Sequence, residues 1–234
     1  AIALSTVMLP HLSRLSLCED RDGFNRLMNW GVLVGLGLGL PAGIGLYFLS
    51  TPLIATLFMS FEGGAMTTYD VMMASAALEM FAVALPGFVL VRVLSAGFFA
   101  KKNTRQPFRY AAAAVAVNLI GSLLTYRWLG HVGLALATAL SAWTNVFLLY
   151  FGMRRHEISK MRIFSRSLLK IYFLSVVLAV VLWGCNPGVD FWLDMGALER
   201  SIGLIGIILG VIGLYGVSLF LLGFRLLDVR PDVD

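Results

Sequence analysis

The sequence predicts an all-α protein, a polytopic bundle of transmembrane helices, and three observations favour this fold class. Hydrophobic residues make up 59% of the 234-residue chain and charged residues only 13%, about half the charged share that is typical of soluble domains. The mean hydropathy is +0.86. Several charge-free stretches are longer than the roughly 18 residues that indicate a membrane-spanning helix. These features place the chain in a lipid bilayer.

The first residues, "AIALSTVMLPHLSRL", contain an apolar run that is too short to span a membrane. They lack the basic start and the cleavage site of a signal peptide. We interpret residues 1–13 as the end of a transmembrane helix that begins upstream.

Six further apolar segments follow. The first, residues 27–58, is longer than a hydrocarbon core of about 30 Å requires, so we expect it to tilt, kink or protrude, with Pro41 as a specific cause of a kink. The other segments are residues 71–100, 108–126, 132–153, 168–185 and 201–224. We group the first four segments as one unit, residues 27–153, and the last two as a second unit, residues 168–224.

The cations alternate between the two sides of the predicted bundle. Fifteen of the 18 Lys and Arg residues fall on one set of loops, whereas Arg127 and Arg200 fall on the other and Arg92 lies within a segment. Positive loops stay on the cytoplasmic side of a membrane. The loop 101–109 and the C-terminus are therefore predicted to be cytoplasmic, and the net charge of +5 reflects orientation rather than nucleic-acid binding.

Two cysteines and two sets of glycines complete the packing predictions. Cys18 and Cys185 fall on opposite sides, so they cannot form a disulfide, and we expect both to be inert packing residues. Glycines repeat every four residues, a spacing typical of close helix contacts in membranes. They are Gly31, Gly35, Gly39 and Gly43, and then Gly206 and Gly210.

No combination of reactive side chains predicts an enzyme. The three histidines lie in loops or at helix ends, and Glu79 is the one acidic residue inside an apolar segment. Neither a catalytic set nor a metal-ligand spacing can be assembled. Glu79 itself is interpreted either as a residue near the outer interface or as a proton-sensitive group.

Arg92 is the candidate substrate-binding residue. It lies nine residues before Lys101, about 13 Å from the cytoplasmic boundary along a helix. One interpretation is an arginine whose side chain extends to the interface. The other is a cation facing a water-filled cavity, where it meets an anionic headgroup such as a diphosphate.

A second set of polar residues lies on the next two segments. Asn118 and Ser122 are one turn apart, and Thr138 and Ser141 lie on the following segment. Such residues usually form hydrogen bonds between helices. The alternative is a site for a hard cation built from their oxygen atoms, although it has no carboxylate.

Five stretches and one spaced pattern are distinctive. The stretches are "VMLPHLSRL", "NRLMNWGVLVGLGLGLPAG", "VRVLSAGFFAKKNTRQPFRYA", "GHVGLALATALSAWTNVFLLY" and "MRRHEI". The pattern consists of Leu94, Gly97, Phe98, Ala100, Thr104 and Pro107. Together they resemble the MurJ/MviN family, the lipid II flippases of bacterial peptidoglycan synthesis.

The resemblance implies the second lobe of a two-lobe flippase fold plus two C-terminal helices. It implies a multi-pass protein of the bacterial inner (plasma) membrane that moves lipid II, an undecaprenyl-pyrophosphate-linked sugar-peptide, to the outer leaflet by alternating access, with membrane lipids as the other partners. Arg92 matches a basic position of the family. Asn118 and Thr138 match residues that bind sodium in some relatives. Those relatives also have an acidic residue one turn after the asparagine, and this sequence has Ser122 at that position. Sodium is therefore the one candidate cofactor.

Two alternatives remain open at this point. One is another exporter of the same superfamily, for polysaccharide lipids or cationic drugs. The other is a membrane scaffold without transport, which would have dry helix contacts and Arg92 at the interface.

Overall fold

A computed structural model describes residues 2–59, 66–159 and 165–221. These residues form helices and connecting turns, without a β-strand, so the predicted all-α fold is confirmed. The helices are α1 Ile2–Leu17, α2 Arg21–Phe48, α3 Ser50–Ile54, α4 Thr68–Ala100, α5 Arg105–Arg155, α6 Arg166–Cys185, α7 Val189–Asp194 and α8 Ala197–Leu221, with a π-helical turn at Ala55–Met59. Among the described residues, five helices are long and apolar enough to cross a membrane. They are α2, α4, α5, α6 and α8.

Helix α5 is two membrane helices joined at Gly130. Its 51 residues would extend about 76 Å as one straight helix, far more than a bilayer core. Gly130 has φ 56° and ψ −133°, a conformation that glycine adopts most readily. The hydroxyl of Thr125 donates to the carbonyl of Gly133 over 2.9 Å, and that of Ser141 donates to the carbonyl of Ala114 over 2.7 Å. The two arms, residues 105–129 and 131–155, therefore run antiparallel, as the two separate apolar segments predict.

The long apolar segment 27–58 divides after Phe48. Pro41 lies within α2, and the chain beyond Leu49 forms the short α3 and the π-helical turn. The segment therefore accommodates its excess length by ending one helix and starting another. The break after Phe48 was not predicted, and the kink expected at Pro41 stays a prediction, because α2 continues past that proline to Phe48.

Polar caps fix the start of the long helices. The side chain of Thr67 accepts from the backbone N–H of Asp70, whose carboxylate in turn accepts from the backbone N–H of Thr67, at the start of α4. Ser165 caps α6 through the N–H of Leu168. Each cap satisfies backbone donors that have no partner within the helix.

Pro107 stands in the first turn of α5 and not ahead of it. The helix begins at Arg105, three residues before the predicted start at Phe108. A proline is tolerated in the first turn because the missing N–H would have no partner within the helix there.

Helices α2 and α4 pack through the predicted ladder of glycines. A methyl group at Gly31 would collide with the side chain of Met8 on α1 and would lie 3.1 Å from Val93 on α4, and one at Gly35 would lie 3.1 Å from Val89. A methyl group at Gly39 would lie 3.4 Å from the Cα of Pro86, and one at Gly43 would lie 2.8 Å from the carbonyl oxygen of Ala82. The four glycines thus meet successive turns of an antiparallel neighbour. Gly206 and Gly210, in contrast, have no described atom within 4 Å of such a methyl group.

Two buried clusters hold the described helices together. The larger cluster joins α1, α2, α4, the second arm of α5 and the start of α6, and it includes Met8, Phe24, Met28, Phe98 and Leu149. The smaller cluster joins the end of α2 to α6 and α8. The hydroxyl of Tyr215 on α8 also donates to the carbonyl of Gly37 on α2 over 2.9 Å.

The cation-rich segments gather at one end of the bundle, which we call the cationic end. The ammonium of Lys101 lies 5.1 Å from the centre of the Phe24 ring, and the hydroxyl of Ser159 donates to the side-chain oxygen of Asn25 over 2.7 Å. These contacts bring the end of α4, the start of α2 and the end of α5 together. For the described cations, the alternation inferred from the charges is therefore seen in the helix contacts. Four cations that the prediction also counts, Lys160, Arg162, Arg225 and Arg230, lie outside the described residues.

The opposite end holds Arg200, one of the two arginines that depart from the charge bias. Its side chain is buried, and its guanidinium donates to the carbonyls of Ala55, Leu193 and Met195 over 3.1, 3.1 and 2.8 Å. These bonds link α8 to the π-helical turn and to the end of α7. Arg200 is thus a structural residue, whereas Arg127 is exposed.

The cysteines are free and lie at opposite ends, as predicted. Cys18 follows α1 at the cationic end and Cys185 ends α6 at the other. Both are exposed, so the expectation that they are packing residues is wrong. A small apolar side chain in a membrane protein can face solvent or lipid as readily as a neighbouring helix.

The glycine ladder gives a stability prediction with an internal control. Gly43→Ala should lower the free energy of unfolding by about 1–3 kcal/mol, the usual cost of overpacking, because the added methyl would lie 2.8 Å from the Ala82 carbonyl oxygen. Gly45→Ala, on the same helix with nothing within 4 Å, should be neutral or slightly stabilising. Thermal unfolding of the purified protein in detergent measures both, and equal midpoints for the two variants would contradict the packing described.

Candidate functional site

Arg92 is exposed on the surface of α4. Within the described part of the chain, no hydrogen bond or ion pair engages its guanidinium. It lies eight residues before the end of α4, about 12 Å from the cationic end, and one turn before Ser95. Arg92 is therefore available to a ligand at the side of the helix, as the sequence prediction requires, while the two interpretations of its role stay predictions.

The polar residues of the α5 hairpin lie at one level, nearer to its turn. The hydroxyl of Ser122 donates to the side-chain oxygen of Asn118 over 3.1 Å. The hydroxyl of Thr138 donates to the carbonyl of Leu134 in its own helix over 2.9 Å. Gly121 packs on Ala137, which brings the two arms together at this level. Asn118 and Ser122 are thus in direct contact, and Thr138 lies on the facing arm.

Neither hydroxyl proton in this group points away from the chain. Ser122 and Thr138 both donate within the hairpin, so the two hydroxyl groups offer a ligand their oxygen lone pairs, and Asn118 offers its side-chain oxygen as well as its amide N–H groups. Such neutral oxygens suit a hard cation. Among the described residues, no group of three or more His, Cys, Asp and Glu side chains is placed to hold a metal ion.

The structure does not bring Arg92 and the hairpin group together. Gly87 on α4 packs on Ala142, and Arg92 lies five residues further toward the cationic end. Thr138 lies four residues from Ala142 in the direction of the hairpin turn. The two candidate sites are therefore separated along the bundle axis.

Glu79 is held by a serine at the opposite end of the bundle. The buried hydroxyl of Ser50, at the start of α3, donates to its carboxylate over 3.1 Å. This contact places Glu79 toward the end opposite Lys101, in agreement with the interpretation of a residue near the outer interface.

A cavity of about 520 Å³ between α4 and both arms of α5 was not predicted. It lies near the cationic end and is lined by Ser95, Phe99, Arg105 and Asn145, among others. The side-chain oxygen of Asn145 is buried and has no hydrogen-bond partner in the described part of the chain. One signal in the sequence was available: Asn145 is a lone amide in the stretch "WTNVFLLYF".

These features define a multi-pass α-helical membrane protein, in which exposed polar groups lie along a bundle built from close helix contacts. Comparison with known proteins gives the family. A family model described as "Lipid II flippase MurJ" matches residues 1–197. The chain therefore belongs to the MurJ lipid II flippase family.

Curated relatives agree over nearly the whole chain. A probable lipid II flippase MurJ of Vibrio cholerae is 34% identical over all of this chain and 44% of its own length. The corresponding protein of Haemophilus influenzae is 34% identical over 96% of this chain and 44% of its own length, and a lipid II flippase MurJ of Burkholderia cenocepacia is 30% identical over 96% and 43%. The chain thus spans less than half the length of these relatives.

A solved structure supports the same assignment. A lipid II flippase MurJ in an inward closed conformation superposes on 92% of this chain, and 41% of its own, with a TM-score of 0.71 and 28% sequence identity. The family resemblance noted in the sequence is therefore confirmed. So is the transporter fold that it implies.

Proposed function

We propose that the protein containing this chain moves lipid II from the inner to the outer leaflet of the bacterial inner membrane by alternating access. The observation that carries the proposal is the match of the lipid II flippase family model to residues 1–197. The chain supplies one wall of the transport pathway, and the remainder of the protein supplies the other. The proposed activity is transport without catalysis, because the relatives are flippases.

The contribution of this chain to transport depends on α4, a firmly packed helix that carries the exposed Arg92. Helix α4 is packed against α2 through the glycine ladder and against α5 through Gly87. The exposed guanidinium of Arg92 is thereby carried on a helix that cannot easily shift on its own. A positioned guanidinium binds phosphate oxygens in a bidentate manner, which suits the pyrophosphate of lipid II.

The last two membrane helices suit contact with the hydrocarbon part of the substrate or with bilayer lipids. The outward side chains of α6 and α8 are large and apolar, such as Phe173, Val180, Ile205 and Phe220. Surfaces of this kind cost no polar desolvation when they face hydrocarbon. We assign them to lipid contact.

For the sides of the membrane, we propose that the cationic end faces the cytoplasm, together with the C-terminus. The support is the excess of Lys and Arg in the loops that meet there.

The two native cysteines test this orientation directly. In cells with a permeabilised outer membrane, a membrane-impermeant maleimide should label a variant that retains Cys185 alone. A variant that retains Cys18 alone should be labelled only after lysis, because both thiols are exposed at opposite ends. Mass spectrometry of the labelled protein reads out the result, and the reverse pattern would mean that the cationic end is periplasmic.

The role of Arg92 can be separated from a role in folding. Arg92→Ala should slow lipid II translocation in reconstituted vesicles about tenfold, the effect of losing one charge-assisted hydrogen bond. The amount of folded protein should stay near that of the parent. Arg127→Ala, which removes an exposed arginine at the hairpin turn, is the matched control and should leave translocation unchanged. Parallel losses of translocation and of folded protein for Arg92→Ala would instead favour an arginine that only anchors α4 at the interface.

We also propose that Asn118, Ser122 and Thr138 form a sodium site. The geometry that supports it is the direct contact of Asn118 with Ser122 and the position of Thr138 on the facing arm of the hairpin.

The sodium site predicts a change in ion dependence that depends on the side chain. Asn118→Ala and Thr138→Val should each reduce the response of translocation to sodium, whereas Ser122→Asp should strengthen it by adding a carboxylate ligand. Ser141→Ala removes a hydroxyl that bonds the carbonyl of Ala114 in the same hairpin, so it controls for general effects on packing. Transport measured over a range of sodium concentrations gives the answer; an identical response in all four variants would remove the sodium proposal.

A further inference from the structure

Helix α8 gains little from apolar contact with its neighbours. Three of its 25 residues are buried, Arg200, Leu204 and Tyr215. Lipid is as apolar as the other side chains of α8, so hydrophobic burial does not favour a neighbouring helix over the bilayer. Close backbone packing does not replace that gain, because a methyl group added to four of its glycines would have no described atom within 4 Å. These are Gly206, Gly210, Gly213 and Gly216. The position of α8 therefore depends on its polar contacts.

One polar contact of α8 fills a gap that a proline leaves in α2. In an α-helix, the N–H of each residue bonds the carbonyl four residues earlier, and proline has no N–H. Pro41 lies inside α2, so it cannot donate to the carbonyl of Gly37. The hydroxyl of the buried Tyr215 donates to this same carbonyl over 2.9 Å. Tyr215 thus supplies a hydrogen bond that the backbone of α2 cannot make.

A second proline repeats this arrangement at the outer end of α2. Pro52, in α3, follows Phe48 by four residues, and the carbonyl of Phe48 accepts from the side-chain amide of Asn186 over 2.9 Å. Asn186 is the C-cap of α6, and its side-chain oxygen accepts from the indole of Trp192 in α7 over 2.9 Å, which fixes the orientation of the amide. Gly37 and Phe48 are eleven residues apart in α2, about three helical turns. The two carbonyls therefore lie on the same side of α2.

Both donors come from the last two membrane helices, one from each. In a bilayer, the backbone groups that a proline frees are satisfied by neighbouring helices, because lipid has no donors. We propose that Pro41 and Pro52 create two docking points on α2, and that Tyr215 and Asn186 attach α8 and the end of α6 to them. Both helices then follow α2 when it moves, instead of moving independently in the lipid. This attachment is independent of the proposed transport of lipid II.

The role of the first proline is tested by combining two substitutions in the full-length protein. Tyr215→Phe should lower the ratio of folded to unfolded protein about three- to tenfold, the range for one hydrogen bond between membrane helices. Pro41→Ala returns a backbone N–H to the carbonyl of Gly37, so Tyr215→Phe should cost much less in that background. Unfolding by titration with dodecyl sulfate measures these ratios. Equal costs of Tyr215→Phe in both backgrounds would overturn the docking role of the proline.

Tyr172→Phe is the matched control for the loss of a hydroxyl group. Tyr172 is a half-buried residue of α6, and its hydroxyl forms no hydrogen bond with the described residues. This variant should therefore unfold like the parent protein. A loss as large as that of Tyr215→Phe would mean that any tyrosine hydroxyl in these helices has the same effect, and the assigned contact would be wrong.

The position of α8 gives a readout that a change in stability alone would not alter. In a background without native cysteines, spin labels at Phe220 on α8 and Phe151 on α5, which are both exposed, report the distance between the two helices by pulsed electron paramagnetic resonance. Tyr215→Phe should broaden the distance distribution under conditions in which the protein stays folded, whereas Tyr172→Phe should not. A distribution as narrow as that of the parent would mean that apolar contacts alone hold α8, against the proposal.

The second docking point is tested separately, so the proposal does not depend on one variant. Asn186→Asp keeps an oxygen that accepts from Trp192 and removes the N–H groups that bond the carbonyl of Phe48. It should also lower the ratio of folded to unfolded protein about three- to tenfold, and Pro52→Ala should reduce that cost by offering a backbone N–H. Unchanged unfolding of Asn186→Asp would overturn the docking of α6.

Discussion

The close approach of α2 and α4 is the constraint on which the rest of the structure depends. In a bilayer, apolar side chains gain nothing by leaving lipid for a neighbouring helix, so association relies on tight contact between backbones. Gly43 lies over the carbonyl of Ala82, and Pro86 has no N–H to bond that carbonyl within α4. The two helices therefore approach most closely where α4 lacks one backbone hydrogen bond. Because α4 also carries Arg92 and one wall of the cavity, the position of both depends on this contact.

Elsewhere, polar side chains bind backbone carbonyls where helices are interrupted. Arg200 donates to the carbonyl of Ala55, the first residue of the π-helical turn. Asn186 donates to the carbonyl of Phe48, the last residue of α2. The end of α2 leaves the Phe48 carbonyl without a partner in its own helix, and lipid offers none. Arg200 is held by its three carbonyl acceptors at the end of the bundle that otherwise has few cations.

The sequence predicts those features that depend on local composition. Apolar length and loop charge are local properties, so the helices, their alternation and the family could be inferred, and the spacing of Gly31 to Gly43 identified a true helix contact. The same spacing at Gly206 and Gly210 did not identify a contact between described helices. A small residue every four positions shows that a close contact is possible, but it does not show which helix supplies the partner. The cavity beside Asn145 and the division of residues 27–58 depend on three-dimensional packing. Nothing in a single apolar stretch reports which of its polar atoms will lack a partner.

The contacts of α4 determine how this part of the protein can move. Toward one end, α4 is held through Glu79 and Ser50 and through the indole of Trp143. Toward the other, its buried Phe98 packs edge-to-face with Tyr110 of the first α5 arm. A bend at Pro86 would have to break contacts with α2 and α5 together, because Gly39 and Gly87 pack on both sides of that proline. For the proposed alternating access, these contacts favour a rotation of α2, α4 and α5 as one body relative to the rest of the protein, with Arg92 keeping its place on α4.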